Sequence, residues 1–198
     1  MHLADLDLNK AYSYADYLKW HFEERLELIK GKIFKMSPAA TPRHQTIVGF
    51  IFVELSVHLR KQTCRVYTAP FDVRIPRKTT EDKDIITVLQ PDICVICDRS
   101  KIDRKGCLGA PDIIVEVLSP GNNAKELKNK YDAYEEAGVK EYWIVSPQDQ
   151  TFTINLLVDV KFQPTRQLTN GDTVTSTILP GFCLNLTELF ESPLPEEG

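Results

Sequence analysis

The chain has 198 residues, of which 42% are hydrophobic and 26% charged, with a formal net charge of −4. That length and apolar share suit one hydrophobic core and exclude a disordered chain, so a single domain over residues 1–198 is expected. The negative balance excludes a whole-chain basic field of the kind that carries a pure DNA-binding module, but a metal ion and a local basic patch can still serve an enzyme that handles phosphates.

In chain order, the segment from Leu8 to Leu28, with its mixed aromatic and charged residues YSYADYLKWHFEERLEL, reads as a helix. LELIKGKIFKMSP then reads as a hairpin turning at Lys30-Gly31, and Pro38 and Pro42 interrupt regular structure after the second strand. From Arg43 to Lys61 the apolar positions Ile47, Phe50, Ile51, Val53, Leu55, Val57 and Leu59 predict a long, very apolar helix crossing the core, with Arg60 and Lys61 at its far end. CRVYTAPFDVRIP alternates as a strand does, RKTTEDKD is a loop, and ITVLQ is another strand.

Two similar units come next, QPDICVICD and APDIIVEVLSP, each a buried strand opened by Pro-Asp and separated by the basic, turn-like DRSKIDRKGCLG. Residues Asn123 to Ala137 predict an amphipathic helix with Leu127, Tyr131 and Tyr134 inward, ended by Gly138 and followed by the strand VKEYWIVS. The tail suggests two or three antiparallel strands and a terminal helical turn. Strand, strand, helix, strand around residues 91–146 argues for an α/β fold with a mixed sheet flanked by helices.

No apolar run approaches the roughly 20 residues of a membrane span, and MHLADLDLNK lacks the basic and apolar regions of a secretory signal. A cytoplasmic protein with no membrane partner is expected. Five cysteines make an odd count, which argues against a disulfide framework, and Cys94 and Cys97 inside ICVIC read as buried strand thiols rather than a zinc or redox pair.

Glu116 carries the chemical signal, because IIVEVL puts a carboxylate inside a continuous apolar strand where an unpaired charge is costly. Asp112 shares its face but lies about 13 Å away along the strand, too far to share an ion. Asp92 reaches Glu116 if the two Pro-Asp strands pair, and two converging carboxylates call for a cation; hard oxygen ligands favour Mg²⁺ or Mn²⁺. On the following helix Lys130 lies nearest the inward stripe, with Lys128 second, and an amine there could position or deprotonate an attacking water.

PDICVICD, GAPDIIVEVLSP, a helix with KxxxY and AGVKEYWIVSP together resemble the Uma family of restriction-endonuclease-like proteins, within the PD-(D/E)XK nuclease superfamily. LELIKGKIFKMSPAATPRHQ and ILPGFCLNLTELF extend the likeness over nearly the whole chain. The resemblance implies a restriction-endonuclease-like core, Mg²⁺ or Mn²⁺ held by Asp92 and Glu116, and DNA as substrate. It also implies a lysine moved from the position of Leu118 to that of Lys130, with Glu126 where the family often has aspartate. Glu27 matches a family acid on the first helix or its exit, and His44 a recurrent histidine. Many double-strand cutters pair their sites, so a homodimer is a further expectation.

Other readings stay open at this stage. Glu116 could be half of a core ion pair, Asp92 and Asp112 could cap turns, and Lys130 could pair with Glu126 at the surface. A non-catalytic binding protein of the same fold and a small-nucleotide phosphoesterase are the rival functions.

Overall fold

The computed structural model of the chain describes residues 6–21, 24–36, 41–120 and 124–191. Pro38 and Asn123, two of the expected element boundaries, lie outside these residues. The elements in order are Tyr14–Tyr17 (α1), Leu26–Ile29 (β1), Lys32–Lys35 (β2), Pro42–Leu59 (α2), Arg65–Thr68 (β3), Val73–Arg74 (β4), Val88–Leu89 (β5), Ile93–Ile96 (β6), Ile102–Asp103 (β7) and Gly106–Leu108 (β8). They continue with Ile113–Val117 (β9), Ala124–Ala137 (α3), Glu141–Ser146 (β10), Thr151–Val158 (β11), Lys161–Pro164 (β12), Leu168–Thr169 (β13), Thr173–Thr175 (β14), Cys183–Asn185 (β15) and Leu186–Glu191 (α4).

The larger sheet has the order β12-β11-β10-β9-β6-β3, with β13 added to β11. Only β9 and β10 run parallel in it, and α3 is their crossover; every other pair is antiparallel. A second sheet runs β2-β1-β5-β4-β8-β7. This is a mixed α/β fold with a mixed sheet flanked by helices. Alternation along β9 sorts its residues between two cores: Ile113, Val115 and Val117 pack with Ile47, Ile51 and Leu55 of α2, whereas Ile114 packs with Tyr134 and Tyr142 on the other face. Glu116 shares the parity of Ile114, so it is directed toward α3 and the second sheet.

Local chemistry sets the boundaries. Thr41 caps α2 by accepting from the His44 N–H, and Pro42 sits in the first turn, where its missing donor costs nothing. Lys30 and Gly31 both take positive φ, 52° and 79°, the pairing that a tight hairpin between β1 and β2 requires. Gly138, at φ 84°, ends α3 in the left-handed conformation.

Several expectations are corrected. The helix over Leu8–Leu28 shrinks to the single turn of α1, because Tyr12 and Tyr14 pack against Leu28, Ile85 and Val88 while Leu26–Ile29 pairs with β2 and β5 as a strand. CRVYTAPFDVRIP is two strands in two sheets. β3 pairs with β6 and β4 with β5 and β8, and the chain changes sheet across Pro70, which cannot donate to a ladder. The turn-like DRSKIDRKGCLG holds a 3-10 turn and the hairpin of β7 and β8. Among the described residues the tail forms five strands rather than two or three, followed by the expected helical turn, α4. Cys64 and Cys97 are joined in a disulfide, against the expectation of reduced thiols; Cys94 is a buried free thiol, as expected. α2 buries one face only, leaving Val53 and Val57 about half exposed. No helix among the described residues is long and apolar enough to cross a membrane.

Candidate active site

Antiparallel pairing of β6 with β9 brings the start of one strand to the end of the other. The register in which Ile93 faces Val115 carries Asp92, one step further, to the level of Glu116. Asp92 is partly exposed and accepts from the Val117 N–H at 2.8 Å through Oδ2, the oxygen that also meets His44 Nε2 at 3.2 Å. His44 arrives there because it stands in the first turn of α2, held by the Thr41 cap. Burial alone would lower the His44 pKa; the hydrogen bond and charge of Asp92 override it and raise the net value.

Glu116 is buried, and two donors from α3 converge on its Oε1: Lys130 Nζ at 3.0 Å and the Tyr134 hydroxyl at 2.9 Å. Lys130, itself buried, is also 3.1 Å from Glu27 Oε1 on β1, and that same Glu27 oxygen accepts from the Gln90 N–H at 2.8 Å. Three carboxylates therefore border one ammonium and one imidazole. Burial pushes the Glu116 carboxyl up, Lys130 pulls against it, and the negative charges of Asp92 and Glu27 add to the rise, which leaves it at about 7. Lys130 is oppositely placed: burial would lower its pKa, but two carboxylates hold it well above the usual lysine range. The asymmetry follows from the count of neighbours, since the lysine has two anions and Glu116 has one cation and two anions.

The structure thus brings together Asp92, Glu116, Lys130, Glu27 and His44. Lys128 is not among them; its side chain is 75% exposed and pairs with Asp132 one turn on. Glu27 is on strand β1 rather than on the first helix or its exit. The surface pairing considered for Lys130 gives way to the buried contacts with Glu116 and Glu27. Asp112 stays out of the site: it accepts from the Cys97 N–H and pairs with Lys140.

Residues 14–187 match the family Uma2, described as "Putative restriction endonuclease". The chain belongs to the Uma2 family. Its fold is similar to that of a solved structure from Anabaena variabilis ATCC 29413, described as a "putative nuclease belonging to DUF820", with a TM-score of 0.69 and 20% identity over 90% of this chain and 97% of that one. No curated protein matches.

Sequence reading missed several groups at this Uma2 site. Tyr134 reads as part of the apolar stripe of α3, although its spacing of four from Lys130 puts both on one face. Tyr142 faces the same cluster and its buried hydroxyl has no hydrogen-bond partner among the described residues, as is also true of His44 Nδ1. Gln90, just before Pro91-Asp92, donates through its backbone to Glu27 and accepts Arg25 on its side-chain oxygen at 2.9 Å. A cleft of about 270 Å³ opens over Asp92 and His44, bordered also by Arg25, Gln45, Gly49 and Thr68.

The donor set can be tested against a metal. Among the described residues no group of three or more His, Cys, Asp or Glu side chains could hold a metal ion. Asp92, which borders an open cleft, and Glu116, buried at the same level of the sheet, are two hard carboxylates that instead suit a cation that keeps several waters and takes few protein ligands, as Mg²⁺ does. Glu116 is lifted first by burial and then by the charges of Asp92 and Glu27, and a divalent cation would offset that second part. The residues fit.

Proposed function

We propose that this chain is a metal-dependent endonuclease that hydrolyses phosphodiester bonds of DNA, with Asp92 and Glu116 as ligands of Mg²⁺ or Mn²⁺. The observation that supports this best is the convergence of Asp92, Glu116 and Lys130 at the junction of β6 and β9, in a chain of the Uma2 family. When bound, such a cation polarises a phosphate oxygen and lowers the pKa of a bound water.

The protein's own residues divide the remaining tasks. Lys130 stays protonated, so in this reading it does not take the proton from the attacking water; it fixes Glu116 and Glu27 and offsets negative charge growing on the phosphate. Tyr134 orients Glu116 by its hydrogen bond, and the Val117 N–H and His44 do the same for Asp92. Glu27 belongs to the catalytic set through Lys130. Cytoplasmic location and a homodimer that presents two such sites to two strands complete the reading; a monomer mass by light scattering would remove the second.

A second reading keeps the fold without catalysis, and the closed Glu27–Lys130–Glu116 network favours it, since a core ion pair needs no substrate. Calorimetric titration with Mn²⁺, run beside plasmid nicking, separates the two. Wild type should bind and nick, and Asp92→Asn and Glu116→Gln should do neither while remaining folded. Absence of Mn²⁺ binding by folded wild type would leave the second reading standing.

A further inference from the structure

A second cleft, of about 360 Å³, lies against the first, and the two share a wall. Arg25 borders both, and Ala69 borders the cleft over Asp92 while its chain neighbour Pro70 borders the second. Tyr17, Trp20 and Pro70 supply flat apolar surface to this second cleft, and Glu24, Arg25 and Gln90 its polar surface. The aromatic side is preorganised: Tyr17 and Trp20 lie 5.7 Å apart between ring centroids, Trp20 meets the edge of Tyr12 at 5.2 Å, and the Tyr17 hydroxyl is held by Leu26 O and Gln90 Nε2. The Arg25 guanidinium is steadied by two hydrogen bonds to Gln90 Oε1, at 2.9 and 3.3 Å, yet the residue remains exposed.

We propose that the second cleft takes an unpaired nucleobase next to the phosphate bound over Asp92, with Arg25 holding the phosphate that joins them. This deepens the nuclease reading and rests on it for the identity of the polymer. The chemistry of the wall points to a nucleotide: an aromatic face accepts any base by stacking, while a guanidinium on the dividing ridge suits the backbone anion between two nucleotides. A cavity of this size is ample for one base. A base stacked inside a duplex cannot reach it, so the preferred substrate is single-stranded DNA or a locally opened duplex.

The two tryptophans make the test direct, because Trp143 is fully buried and Trp20 is partly exposed. Single-stranded oligothymidylate titrated into the protein without metal should quench Trp20 emission saturably, and a blunt duplex of the same length should not. Arg25→Gln and Trp20→Leu should each weaken binding of a fluorescently labelled oligothymidylate roughly tenfold, read by anisotropy, with unfolding midpoints showing that both variants fold. Oligothymidylate that fails to bind, binds without changing Trp20 emission, or is matched by the duplex overturns the inference. Quenching without any Mn²⁺-dependent cleavage keeps the base site and removes the nuclease reading, so the two fail separately.

Discussion

Lys130 and Tyr134, one turn apart on α3, donate to the same oxygen of Glu116. The ammonium also reaches Glu27, so a single side chain pairs with two carboxylates that are almost wholly buried. Lys130→Met removes the cation and leaves both anions in the interior, and urea unfolding should show a loss of about 3–5 kcal/mol. Adding Glu27→Gln and Glu116→Gln to that variant should return most of the stability while leaving plasmid nicking at background.

Glu116 gives the apoprotein a pH dependence of defined sign. Its pKa rises from 4.5 to about 7 on folding, so between those values the native state binds more protons than the unfolded chain. Stability therefore falls as pH rises through that window, being least penalised near pH 4.5 and most above 7. Urea midpoints across the window should slope downward for wild type more steeply than for Glu116→Gln, and saturating Mn²⁺ should flatten the wild-type curve by favouring the ionised carboxylate.

Glu141 offers the contrasting case of a buried carboxylate outside the site. It accepts from Trp143 Nε1, the Ser176 and Thr177 hydroxyls and the Thr177 and Ile178 amides, tying the segment before β15 to β10. Glu141→Gln turns an NH₂ toward these donors and should cost about 2–4 kcal/mol in urea unfolding. The Mn²⁺ affinity of the protein that remains folded should not change.

Gly49 sits within α2 on the wall of the Asp92 cleft, and a Cβ there would meet nothing within 4 Å. Gly49→Ala should raise stability by roughly 0.5–1 kcal/mol through helix propensity. The added methyl projects into the space that substrate would use, so KM should rise several-fold with kcat nearly unchanged. A stabilised variant with an unchanged KM would show that substrate does not approach this face.

Much of this site could be read from the chain alone. A carboxylate inside IIVEVL stands out against its apolar neighbours, Pro-Asp marks the start of each strand, and the 3.6-residue period of α3 puts Lys130 near the inward stripe. What escaped depends on tertiary partners. In CRVYTAPFDVRIP the apolar positions change parity, from Cys64 and Val66 to Phe71, Val73 and Ile75, so a break at Pro70 is legible, but not that the second strand joins another sheet. Glu27 falls where the helical segment and the hairpin LELIKGKIFKMSP overlap, and pairing with β2 and β5 decides for the strand. Arg25 and Gln90 carry no motif, and the partner of Cys97 is Cys64, 33 residues away, rather than its CxxC neighbour Cys94.

The crossover from β9 through α3 to β10 has a kinetic consequence. Glu116 is only 14 residues from Lys130 and 18 from Tyr134, whereas Glu27 is fixed by Gln90 from a separation of 63. Closing the short loop costs less entropy than closing the long one. During folding the ammonium can therefore meet its first anion within one contiguous β-α-β segment, and the second anion arrives only when the N-terminal hairpin docks.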